Sequence, residues 1–111
     1  MQLSAIPTYL AVIALVANAA TAQAVEGGSA EQGLKIARAQ CAECHLIGKE
    51  KGRSTNEKAP TFAKIANTSG MTAAALRIAL NTPHRSMPNL IIKNTDAANI
   101  IAYILSLRDG Q

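Results

Sequence analysis

The sequence predicts an all-α protein, and three observations carry that reading. Apolar residues recur at helical spacing through Ile100, Tyr103, Ile104 and Leu107, and Ser29 and Thr72 stand as capping residues directly ahead of helix-forming runs. No segment shows sustained alternation bounded by turn dipeptides, so no sheet is expected, and there is no internal repeat. With 111 residues the chain is expected to form one domain with a small core.

The elements follow in chain order. The apolar run Leu10 to Val16, followed by Ala22-Gln23-Ala24 with small residues at the two positions a signal peptidase reads, predicts an export leader over residues 1–24, cleaved after Ala24. Its first residues carry no Lys or Arg, which leaves only the α-amino charge to orient insertion. An uncleaved anchor is the alternative, but Pro7 and Asn18 hold the strong apolar run below the roughly 20 residues a spanning helix needs. Residues 25–111 then form the mature domain.

Past the flexible stretch Glu26-Gly27-Gly28, Ser29-Ala30-Glu31-Gln32 matches a capping box, so a first helix starts at about Ala30 and runs into the cysteines. Gly48 to Ala59 is polar and charged and reads as a solvated loop. A short helix over Thr61 to Asn67 follows Pro60. Thr72 caps a helix over Ala73 to Leu80, which must end near Pro83. Asn94 or Thr95 caps the last, amphipathic helix, and Gly110 lies beyond its end.

Composition narrows the function. There is no Trp, one Phe and two Tyr, so burial must come from Ala, Ile and Leu or from a bound apolar cofactor. The net charge is +4 and no charged side chain precedes Glu26, so the mature domain is basic. Its basic residues are dispersed and lack interleaved aromatics, which argues against nucleic acid and leaves an acidic protein or anionic lipid.

The chemistry is concentrated in Cys41-Ala42-Glu43-Cys44-His45, the CxxCH spacing of c-type haem attachment. Positions three apart complete nearly one helical turn, so both sulfurs face one way, towards the two vinyl groups of a haem, and the adjacent His45 offers an imidazole nitrogen to its iron. A thioredoxin-type disulfide would want a strand before the motif and a βαβ pattern around it. A closed zinc site would want a second paired motif. Neither accompaniment is visible. Elsewhere the carboxylates are scattered and no Ser or Thr has a paired His and Asp, so no catalytic constellation appears.

Over residues 29–109 the chain resembles the class I c-type cytochromes, particularly the small bacterial ones. In that family a glycine eight positions before the first cysteine lets the first helix cross close to an aromatic of the last helix, and Gly33 and Tyr103 stand at the matching places. Ala37 replaces the family's second aromatic on the first helix. The resemblance implies about four short helices wrapped around one covalently bound haem c. It implies that the Pro60 carbonyl accepts the imidazole N–H of His45, that Phe62 packs on the haem, and that Met87, bracketed by Pro83 and Pro88, is the distal iron ligand. Met71, the core-filling alternative, and His84, a second imidazole, are its competitors. His/Met ligation fills both axial positions and implies electron transfer without substrate turnover.

The function so implied is that of a soluble, monomeric, periplasmic shuttle, not an enzyme, exchanging electrons with membrane complexes, dehydrogenases or terminal oxidases and reductases. The alternatives are a haem subunit or electron-entry module of a larger oxidoreductase, and a haem sensor or peroxidase with an open distal site. In the family the exposed haem edge lies beside the CxxCH segment and the methionine loop. Here Lys49, Lys51 and Arg53 flank the first and Arg85 the second, which suits acidic partner surfaces.

Overall fold

The computed structural model describes residues 2, 4, 27–83, 86–88 and 90–110. Of the leader assigned to residues 1–24, only Gln2 and Ser4 fall within them; His84 and Arg85 lie outside the described residues as well. The described residues form four helices and no strand: α1 (Ala30–Gln40), α2 (Phe62–Ala66), α3 (Ala73–Asn81) and α4 (Asn94–Ser106). The all-α expectation holds.

Three helix starts are fixed locally by hydroxyl groups. Ser29 Oγ accepts from Gln32 N–H at 3.2 Å, Thr61 Oγ1 from Lys64 N–H at 3.1 Å and Thr72 Oγ1 from Ala75 N–H at 3.1 Å. The capping box is only half formed, because the Ser29 N–H donates to Asn99 Oδ1 of α4 at 2.8 Å. A tertiary acceptor replaces the local one. α4 also departs from expectation: its cap is Lys93, with no side-chain bond, and Asn94 is already helical. Pro60 precedes the capping Thr61 and so lies outside α2.

α4 is the hub. The backbones of α1, α2 and α3 each approach it, and none approaches another. It therefore buries a wide arc, Ala97, Ile100, Ile101, Tyr103 and Ile104, with Leu107 beyond its end, which adds Ala97 and Ile101 to the stripe legible in the sequence. Each large aliphatic buried there contributes about 1.5–3 kcal/mol. Ala37 of α1, Phe62 and Ala66 of α2 and Leu76 of α3 complete the cluster.

The α1–α4 crossing is close because of two glycines. A Cβ on Gly33 would overlap the Asn99 carbonyl and come within 2.8 Å of Tyr103 Cβ; one on Gly28 would overlap the Ala98 carbonyl and reach Ala102 Cβ at 3.0 Å. Gly28, expected in a flexible lead-in, is thus packed against α4. At Ala37 the small side chain is fully buried, so its lack of an aromatic leaves no gap to solvent.

At the other end of α4, the Arg108 guanidinium donates to the carbonyls of Ala66 and Met71, and Asp109 N–H donates to Asn67 Oδ1 at 2.9 Å. These bonds tie the α2–α3 connection to the end of the hub. Because the obstruction at residue 33 is backbone, Gly33→Ala should lower stability by about 1–3 kcal/mol despite the better helix propensity of Ala. Denaturant unfolding of the variant beside its parent measures this; equal midpoints would mean the crossing has room for a methyl group.

Candidate haem site

Cys41 is the C-cap of α1, and the chain continues for one further turn. Cys44 N–H and His45 N–H both donate to Cys41 O, at 3.2 and 2.9 Å. The motif is therefore a helical turn in which Cys41, Cys44 and His45 succeed one another around one axis. Both thiols are half-buried and free of any disulfide. Burial pushes the Cys41 thiol above its ordinary pKa.

His45 is held from behind. Its Nδ1 lies 2.7 Å from Pro60 O. A carbonyl can only accept, so Nδ1 carries a proton, and the tautomer this selects is the one with its lone pair on Nε2. The two segments are joined a second time by Phe62 N–H donating to Leu46 O at 2.9 Å. Phe62 lies 5.3 Å from His45 and 6.3 Å from Tyr103, centroid to centroid and tilted by 52° in each case. An aromatic series thus runs from the motif to α4.

Cys41, Cys44, His45, Pro60 and Phe62 all line one cavity of about 510 Å³, and Met87 lines it from the connection between α3 and α4. Met71, Ile65, Leu76, Leu80 and Ile104 contribute much of the remaining apolar wall. The volume lies within the range of about 300–1,000 Å³ usual for cofactor sites. Both methionines that competed for the distal position therefore face the same space, while His84 lies outside the described residues.

The donor set fits a haem. An apolar cleft lined by two thiols and an imidazole suits a flat apolar group that brings its own nitrogen ligands to the metal. Among the described residues no three His, Cys, Asp or Glu side chains gather as a metal site.

The cytochrome c family model matches residues 30–108, from the first residue of α1 to the Arg108 clamp. The chain belongs to the cytochrome c family. It is 31% identical over 97 residues to cytochrome c-552 of Bradyrhizobium diazoefficiens, an alignment covering 87% of this chain and 89% of that protein. No solved structure matches it. As a class I c-type cytochrome it is an electron-transfer protein carrying covalently bound haem c, and it works with redox partners.

Two features around the site escape sequence reading. Ser54, in the loop expected to be solvated, is buried, and its Oγ accepts from Leu46 N–H at 3.1 Å. Tyr103 does more than pack on Gly33: its hydroxyl donates to Ile47 O at 2.6 Å. A serine in a polar loop has no periodic signature, and nothing in the spacing links Tyr103 to Ile47.

Burial, and secondarily the Glu50 carboxylate, raises the Tyr103 pKa above its ordinary 10.0, with Arg38 opposing. The phenol is favoured neutral in the fold, so its contribution to stability is full below pH 10.0 and is lost as pH rises through the higher folded value. Tyr103→Phe should cost about 1 kcal/mol at neutral pH through the lost hydrogen bond. The difference from the parent should shrink above pH 10.0, as the parent alone loses this contribution. Denaturant midpoints across that range test both; a constant difference would refute the linkage.

Proposed function

We propose that this protein is a periplasmic shuttle in which His45 and Met87 are the axial ligands of a single haem held by thioether bonds to Cys41 and Cys44. The observation that carries this reading is the His45 ring, fixed by the Pro60 carbonyl at 2.7 Å with Nε2 left to bind a metal, at the wall of the cavity that Met87 also lines. The haem, when bound, supplies a reversible one-electron couple at its iron. The surrounding side chains hold it, exclude water from it and set the ease of its reduction.

Each ligand has a distinct effect. The Pro60 carbonyl orients the imidazole and raises its basicity, which favours the oxidised metal. A soft thioether from Met87 favours the reduced metal and raises the potential. With both positions filled, small ligands have no open site, which is why the shuttle reading is preferred to a peroxidase or gas sensor. Phe62, buried and 5.3 Å from the His45 ring, covers the proximal side.

Residues 1–24 are read as the leader that exports the chain, leaving 25–111 as the mature domain. Among the described residues no helix is long and apolar enough to cross a membrane. We read the mature protein as a monomer that meets acidic surfaces on its redox partners. The loop between His45 and Pro60 carries four cations, Lys49, Lys51, Arg53 and Lys58, against two carboxylates, Glu50 and Glu57. All six are exposed.

Two experiments test this reading. Met87→Leu should abolish the iron–thioether charge-transfer absorption and lower the potential, whereas Met71→Leu should leave both intact. The reverse pattern would transfer the distal role to Met71. Reversing charge at Lys49 and Lys51 should slow reduction by an acidic redox partner at low salt, within the roughly 10 to 10³-fold range of electrostatic steering, with little change in potential. The gap should close as ionic strength shortens the Debye length below about 10 Å. Equal stopped-flow rates at every salt concentration would remove this face as the docking site.

A further inference from the structure

Ser54 is the one buried polar side chain among the described residues, at 8% exposure, and electron transfer itself gives it no task. Its place in the loop explains it. The backbone of Leu46, the residue after His45, is gripped on both sides: its N–H donates to Ser54 Oγ at 3.1 Å, and its carbonyl accepts from Phe62 N–H at 2.9 Å. Two residues earlier, the Cys44 carbonyl accepts from Asn56 N–H at 3.1 Å, so the segment bearing Ser54 returns to the motif twice. Ile47 O is held from α4 by the Tyr103 hydroxyl.

We propose that Ser54 is a positioning residue for the proximal histidine: by fixing the Leu46 N–H it sets the backbone from which the His45 ring reaches Pro60 O. This rests on His45 being an iron ligand. Leu46 has only two backbone hydrogen-bonding groups, and without the Ser54 hydroxyl its N–H loses the acceptor the fold gives it, while its carbonyl keeps Phe62 N–H. The His45 Nδ1–H···O bond, which tunes the basicity of the ring, then starts from a backbone with one anchor fewer, the bonds of Cys44 O to Asn56 N–H and of Leu46 O to Phe62 N–H remaining.

The test compares two hydroxyl deletions in the exported holoprotein. Ser54→Ala removes the bond to Leu46 N–H, and Thr72→Ala removes a bond of the same kind and length, 3.1 Å, at the start of α3. Proton NMR of the reduced protein follows solvent exchange of the His45 Nδ1 proton and, as a global reference, of the Ile100 amide in the core. Ser54→Ala should accelerate Nδ1 exchange by roughly 2- to 10-fold relative to Ile100, the range that one hydrogen bond represents, and should shift the potential. Thr72→Ala should do neither.

If both variants move Nδ1 and Ile100 together, Ser54 is only a stabilising residue and the proposal fails. Should Ser54→Ala not fold, the parent still decides: a Leu46 amide that exchanges as fast as an exposed one overturns the proposal, and a protected one supports it. The ligand reading fails separately, by the absence of haem-shifted His45 ring resonances in the parent.

Discussion

The carbonyl group of Asn99 occupies the volume that a side chain at position 33 would need, and the geometry of the site descends from that contact. With Gly28 meeting the carbonyl one residue earlier, two glycines let α1 lie against α4 with no side chain between the backbones. The crossing fixes the line of α1, and α1 ends at Cys41. One turn along α4 from Asn99, Tyr103 reaches the Ile47 carbonyl just past the motif, and its neighbour Ile104 lines the cavity. A single close approach thus sets both the turn that carries the sulfurs and the apolar surface they face.

The middle of the molecule is organised differently. The backbones of α1, α2 and α3 do not approach one another, and the cavity is walled by parts of all three together with α4. In a chain with so few aromatics, the apolar group held there is part of the core as well as the seat of the redox couple. The bonds of Arg108 and Asp109 to the α2–α3 connection give that wall a support independent of the cofactor. Site and core consequently share side chains: Phe62 belongs to the buried cluster and also packs against the His45 imidazole.

What was legible in the sequence was what neighbours in the chain decide. Ser29 and Thr72 cap because the donors they satisfy lie three residues away, and the CxxCH motif displays its geometry because one helical turn contains it. The features that were hidden depend on distant segments. The reciprocal half of the capping box fails because Asn99 offers Ser29 a better acceptor, and Gly28 is held by α4 although its neighbours suggest flexibility. The α4 start moves to Lys93, where no side chain caps it. Ser54 resembles its exposed neighbours in every respect except where the fold puts it. The family resemblance reached further than local pattern, since it singled out the relation of Gly33 to Tyr103 and directed attention from His45 to Pro60 across the loop.

The hydrogen bond from Ser29 to Asn99 joins residues 70 positions apart. Such separation makes the first helix dependent on residues synthesised 70 positions later. A helix of 11 residues is marginal by itself, where about 12–15 are needed even in favourable sequences, and the contacts that would steady α1 are nearly all on α4. Closing so long a loop costs entropy before any native contact repays it. The segment that ends in the cysteines therefore lacks the support of α4 until that helix has been synthesised. Until then both thiols are without the packing that half-buries them in the finished fold.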